Sequence, residues 1–196
     1  MGYNNLTAYL NRVKIDLKKC AYLLLFLIPL TSFAQISDTR FRHISNEQGL
    51  SNSTITCIIQ DSRGFMWFGT RDGLNQYDGV KSIIYRNDPH NKFSISDNTI
   101  RCIYEDAHQK LWIGTSYGLN RFDPVTNVFT QYSYDKKNNK GISSDFITAI
   151  CGQDADNIWV ATDGGLNLLN TITGKVTHFN HSVKAGSLSS NTIYCL

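Results

Sequence analysis

From residue 54 to residue 60 the chain alternates, with Ile55, Cys57 and Ile59 on one parity and Thr56, Ile58 and Gln60 on the other. That period of two, with its β-branched content, predicts a strand over 54–60 rather than a helix. Asp61-Ser62-Arg63-Gly64 then reads as a turn. A second strand is expected over 65–70, with Trp67 on one face. Arg71-Asp72-Gly73 follows as a tight turn whose glycine can supply a positive φ. A third strand is expected over 74–77 and a fourth over 81–85.

The same pattern returns. Leu50-Ser51-Asn52 recurs as Ile95-Ser96-Asp97, Ile142-Ser143-Ser144 and Leu188-Ser189-Ser190, a period of 45 to 47 residues. Sixteen residues after each of the first three serines stands a tryptophan: Trp67, Trp112 and Trp159 are all three Trp of the chain. Behind them come Gly69-Thr70, Gly114-Thr115 and Ala161-Thr162, then Gly73-Leu74-Asn75, Gly118-Leu119-Asn120 and Gly165-Leu166-Asn167. The first turn is matched at 106–109 and 154–157. In the third copy Gln153 stands where Asp61 and Asp106 do, and Ala161 replaces the glycine, which puts that copy's turn geometry in question.

Four short antiparallel strands in a unit of this length match the blade of a β-propeller, whereas solenoid units of similar period are helical. The expected architecture is all-β. It has an outer strand at about 40–45, blade 1 at about 50–87, blade 2 at about 95–134, blade 3 at about 142–181 and the first strand of a fourth blade at about 188–196. The early outer strand would complete a last blade and so remove an open sheet edge. Three complete blade cores and the start of a fourth make an incomplete ring.

The chain has 196 residues, 41% hydrophobic and 12% aromatic, the composition of a folding protein, with a formal charge of +3. All of that surplus lies in residues 1–34, where Arg12, Lys14, Lys18 and Lys19 outnumber Asp16; the remainder carries fifteen basic and fifteen acidic side chains. A phosphate-wrapping protein shows a basic excess, so nucleic acid is not an expected partner. The lysines precede an apolar run from Ala21 to Leu30 and small residues at Ser32 and Ala34, which together read as a secretory signal peptide over 1–34. The run is only about half of the ~20 residues that cross a bilayer. No second apolar stretch follows, so no membrane span is expected in the mature chain. Export permits disulfides, yet Cys57 and Cys102 are one repeat apart and so on different sheets. Cys57, Cys102, Cys151 and Cys195 are read as buried thiols.

Motifs that carry chemistry are missing: the sequence has no nucleophile elbow, P-loop or dinucleotide fingerprint. Asp61 and Asp106 could suggest an acid/base pair, but an Asp opening a turn accepts local N–H bonds, and the two fall on separate blades. His178 and His181 are an i, i+3 pair without a cysteine or carboxylate nearby, a poor zinc set. No catalytic residue, metal ligand or cofactor is assigned. The periodic tryptophans are read as packing between blades rather than a sugar platform. A scaffold fixes backbone while its loops vary, so the non-repeating turn residues Arg71, Asp72, Tyr117 and Asp163 are the candidate ligand contacts, suited to hydroxyls and carboxylates of an oligosaccharide.

The run Gln60-Asp61-Ser62-Arg63-Gly64, Met66-Trp67-Phe68-Gly69-Thr70 and Asp72-Gly73-Leu74-Asn75-Gln76-Tyr77-Asp78 resembles the repeat of the two-component regulator propeller family. The resemblance covers residues 41–196. It implies the periplasmic sensor region of a Bacteroidetes-type hybrid two-component system. In such proteins two propeller rings precede an immunoglobulin-like domain, one transmembrane helix, a histidine kinase and often receiver and DNA-binding domains, and a glycan-derived ligand is sensed. None of those later parts lies in the present chain, which would be an N-terminal fragment, exported, with its parent anchored in the inner membrane. Rival expectations are a propeller feeding a diguanylate cyclase or DNA-binding regulator, a secreted propeller glycoside hydrolase or lyase, and an interaction module without a small ligand. Three blades alone leave two faces bare. At on the order of 500 Å² each and ~25 cal/mol per Å², the loss is ~12 kcal/mol per face, as large as a whole domain's stability.

Overall fold

The computed structural model describes residues 43–137 and 140–196. The expected signal peptide at 1–34 and residues 40–42 of the expected outer strand lie outside the described residues. His43–Ser45, which do lie inside, are irregular and lead into a 3-10 turn, Asn46–Gln48.

Among the described residues twelve strands make three sheets, one per repeat. Blade 1 comprises β1 (Ile55–Gln60), β2 (Met66–Thr70), β3 (Gly73–Tyr77) and β4 (Ser82–Tyr85). Blade 2 comprises β5 (Ile100–Glu105), β6 (Leu111–Thr115), β7 (Gly118–Asp123) and β8 (Val128–Tyr132). Blade 3 comprises β9 (Ile147–Gly152), β10 (Asn157–Thr162), β11 (Gly165–Asn170) and β12 (Val176–Phe179). Each sheet is an antiparallel meander in chain order, the blade of a propeller, and the arrangement is open. Gly73, Gly118 and Gly165 open the third strands at φ of 121°, 121° and 139°, a region from which a side chain is largely barred.

The core lies between blades. Trp67 and Leu74 of blade 1 pack with Ile100, Ile103, Phe122 and Phe129 of blade 2. Trp67 meets Phe122 edge-on at 5.5 Å. Between blades 2 and 3 the same layer is made by Trp112 and Leu119 with Ile147, Ile158 and Leu169. Trp67 and Trp112 are fully buried. Trp159 is only half-buried, resting edge-on against Phe179 at 5.3 Å, because no blade among the described residues follows blade 3 to cover it.

Close approach of inner strands explains Gly69 and Gly114. A Cβ on Gly69 would stand 2.4 Å from Cys57 Sγ and 2.7 Å from Ile100 Cγ2; on Gly114 it would stand 2.5 Å from both Cys102 Sγ and Ile147 Cγ2. Cys57 pairs across the sheet with Gly69 and Cys102 with Gly114, whereas in blade 3 Ala149 pairs with Ala161. The methyl gained at Ala161 is thus matched by the sulfur lost at Ala149. The third copy's departure from the pattern is a compensated packing change in mid-strand, and the turn geometry it brought into question is kept.

Two further expectations are corrected. Residues 188–196 form no strand: Ile193 N donates to Thr162 O at 3.2 Å and Thr148 Oγ1 donates to Ile193 O, but a strand needs a ladder and no sibling strand of a fourth blade stands among the described residues. Cys195, on this stretch, is exposed rather than buried. The four cysteines among the described residues are free thiols, and Cys57, Cys102 and Cys151 are half-buried. Burial pushes the Cys57 thiol up to about 11 and the Cys102 thiol up to about 12.

Candidate functional site

An antiparallel meander puts its β1–β2 and β3–β4 turns on one edge and its β2–β3 turn on the other. The chain leaving each outer strand returns along that second edge. There Gly73 N donates to Asn98 O at 2.8 Å, and Gly118 N to Asp145 O at 2.7 Å, so each β2–β3 turn is tied to the connection entering the next blade.

The first edge is structural. Asp61 Oδ1 accepts from Arg63 N at 3.1 Å and Phe65 N at 2.9 Å, while Oδ2 accepts from Trp67 Nε1 at 2.9 Å and Arg63 Nη2 at 2.7 Å. Asp106 repeats this toward His108 N, Lys110 N and Trp112 Nε1. Burial alone would raise the Asp61 pKa; the bonds from Trp67, Arg63 and Phe65 outweigh it and hold the carboxyl below its usual range. In blade 3 the work is divided: Gln153 Oε1 accepts from Trp159 Nε1, and Asp154 Oδ1 accepts from Asp156 N at 2.9 Å. The backbone bond closing the turn is the same in all three copies, Asp61 N to Phe65 O, Asp106 N to Lys110 O and Gln153 N to Asn157 O, each 2.9 Å. Each of these carboxylates is engaged by the backbone of its own turn.

The second edge stands on a buried polar chain. Asn75 Nδ2 donates to Ser51 Oγ at 2.8 Å, Ser51 Oγ lies 2.9 Å from Thr70 Oγ1, and Thr70 Oγ1 donates to Gly73 O at 2.9 Å. A hydroxyl has one proton, so the Thr70 bond to Gly73 fixes Ser51 as donor to Thr70 and sets the direction throughout. Asn75 Oδ1 accepts from Ser51 N at 2.8 Å, closing the loop. Ser96, Thr115 and Asn120 repeat it, as do Ser143, Thr162 and Asn167. The periodic Ser, Thr and Asn therefore lock the β2–β3 turns, and what varies on top of them is free to vary.

Arg71, Asp72, Tyr117 and Asp163 all sit on these turns, on three successive blades, and no hydrogen bond or ion pair joins them to one another. Asp72 is engaged by Arg86 Nη2 at 2.8 Å. Tyr117 is 72% exposed and Asp163 is exposed. Arg71 lines a cleft of about 260 Å³ between blades 1 and 2 with Thr56, Thr99, Ile100 and Arg101. Sequence reasoning missed Arg101. It holds the position of Thr56 and Thr148 in its neighbours, so the non-repeating criterion used for the turns would have found it on the inner strand.

Among the described residues no cluster of three or more His, Cys, Asp or Glu could hold a metal ion. His178 Nε2 lies 2.7 Å from Gly141 O and His181 Nδ1 2.6 Å from Leu188 O, so both rings are committed to backbone. No helix among the described residues is long and apolar enough to cross a membrane.

Residues 49–72 and 94–117 match the model of the two component regulator propeller. A segment of 61 residues, 31% of the chain, is 46% identical to a histidine kinase, P4, of Formosa agariphila. The chain is also similar to the extracellular domain of a hybrid two component system from B. thetaiotaomicron, at 34% identity over 78% of the chain with a TM-score of 0.72. A one component system's extracellular domain from the same organism follows at 27% identity over 78% with a TM-score of 0.62. The chain spans 4% of the length of that kinase and 22% of each of these two solved domains.

Proposed function

We infer, from the match of residues 49–72 and 94–117 to the two component regulator propeller, that this chain is part of the ligand-sensing propeller of a signal-transduction receptor. The observation that carries the reading is the 34% identity over 78% of the chain to the extracellular domain of a hybrid two component system. The chain contributes no catalytic group of its own; the receptor's kinase would lie elsewhere in an inner-membrane parent, with the propeller on the periplasmic face. The ligand is an oligosaccharide held on the edge that carries the β2–β3 turns, by Arg71, Asp72, Tyr117 and Asp163. A rigid polar lattice beneath variable polar turns supports that choice of edge. Signalling would be a population shift, since a ligand biases an output only through unequal affinity for two arrangements of its receptor.

Calorimetry of the natural protein that carries this chain, against a panel of neutral and acidic oligosaccharides, tests the reading. Saturable heat that is diminished by Asp72→Ala or Tyr117→Ala is the expected result. Absence of heat across the panel would favour an interaction module without a small ligand.

A further inference from the structure

We propose, on the ligand-sensing reading above, that the cleft between blades 1 and 2 takes the oxyanion group of an acidic saccharide, a ring carboxylate or a sulfate ester, between Arg71 and Arg101. Both arginines line the cleft, with Thr56, Thr99 and Ile100 beside them. Arg71 is exposed, and its guanidinium has no hydrogen-bond or ion-pair partner among the described residues. Arg101 is held in advance: its Nε donates to Ile147 O at 2.9 Å and its Cζ lies over the Phe146 ring, 4.2 Å from the centroid. That leaves its two Nη groups without a partner among the described residues. Two forked donors, one held by Ile147 and Phe146 and one exposed without a partner among the described residues, suit a planar or tetrahedral oxyanion better than a neutral hydroxyl.

Neighbouring acids do not cancel this charge. Asp72 is paired with Arg86 at 2.8 Å, and Asp97 Oδ2 accepts from Thr99 N at 2.9 Å. The blade fold does not require the arginines either, since the Arg71 position is Ser116 and Asp163 in the other copies and the Arg101 position is Thr56 and Thr148. Residues 35–196 sum to zero formal charge, so two unpaired arginines at one inter-blade cleft are a local departure from a balanced surface.

The test titrates the natural protein that carries this chain with a trimeric uronate, a sulfated disaccharide and a neutral trisaccharide, with and without Arg71→Ala and Arg71→Lys. Arg71 is exposed on a turn, so neither change should disturb folding, which circular dichroism checks. The expected result is binding of the uronate or the sulfated sugar, the two arms identifying which. That binding is weakened about tenfold or more by Arg71→Ala, partly restored by Arg71→Lys and reduced by added salt. A neutral trisaccharide bound as tightly, or acidic binding unchanged by Arg71→Ala, overturns the acidic class and leaves the sensor reading standing. No heat from any of the three sugars overturns both.

Discussion

At the scale of single residues, the carboxylate of Asp61 does more than an Asp in a surface turn is asked to do. It is buried, and it satisfies two backbone N–H groups, the Trp67 indole and Arg63 together. Asp61→Ala strands the buried Trp67 Nε1, so a loss of about 2 kcal/mol or more is expected in chemical denaturation. Because its pKa is lowered on folding, the charged form contributes stability above the ordinary carboxylate pKa of ~3.9, and that contribution is lost as pH falls through the folded value. Asp61→Ala should therefore flatten the acid limb of stability against pH. Gln153→Ala, which removes the equivalent bond to Trp159 through a neutral amide, should leave that limb unchanged. The thiols offer a second reading at this scale. With Cys57 near 11 and Cys102 near 12, iodoacetamide at pH 8 should alkylate exposed Cys195 well before either, and mass spectrometry of a short pulse checks the order.

Strands were legible in the sequence because alternation and repeat spacing reinforce each other, and the four strands expected over 54–85 are found within a residue at each end. The register shifts at Ile55/Cys57 and Ile100/Cys102 were not, since an extra residue leaves the composition of a period-two run unchanged. The Cys–Gly and Ala–Ala pairs are likewise invisible until the strands are paired, because their members lie twelve residues apart in each copy. They lead to an element-scale prediction. Gly69→Ala should destabilise blade 1 by roughly 1–3 kcal/mol through overpacking against Cys57 Sγ and Ile100. Adding Cys57→Ala removes the sulfur, as blade 3 does naturally, and should recover part of the loss, with the contact to Ile100 keeping the rescue incomplete. A double-mutant cycle showing no coupling between the two sites would refute the account. The candidate site is legible only by half: Arg71 stands on a turn whose residues vary from copy to copy, whereas Arg101 stands on an inner strand whose alternation hides the substitution.

For the whole molecule, stability is shared between neighbours, as in other repeat architectures where each unit buries its face on the next. Blade 2 has a partner on both sides, so Trp112 is fully buried and its strands are clamped by Glu105, which accepts from Ser62 N at 2.7 Å, and by Arg121, whose Nη1 donates to Thr171 O at 3.2 Å. Blade 3 has a partner on one side among the described residues, and Trp159 shows the consequence by remaining half-exposed. On the far side of blade 1, Ile58 is 53% exposed. Two such faces, each on the order of 500 Å², forfeit ~12 kcal/mol apiece at ~25 cal/mol per Å², against the ~5–15 kcal/mol by which whole domains are stable. The 196-residue polypeptide produced by itself should accordingly associate as concentration rises, melt broadly, and leave Trp159 open to acrylamide quenching. A Trp159→Phe variant should lose most of the quenchable fluorescence, since Trp67 and Trp112 are sealed between blades. Grafting a further copy of residues 188–196 continued by a full blade sequence should shield Trp159 and sharpen the melt. A soluble monomer of the 196-residue chain with one steep cooperative transition would show that three blades suffice and that the inter-blade faces contribute far less than their apolar area suggests.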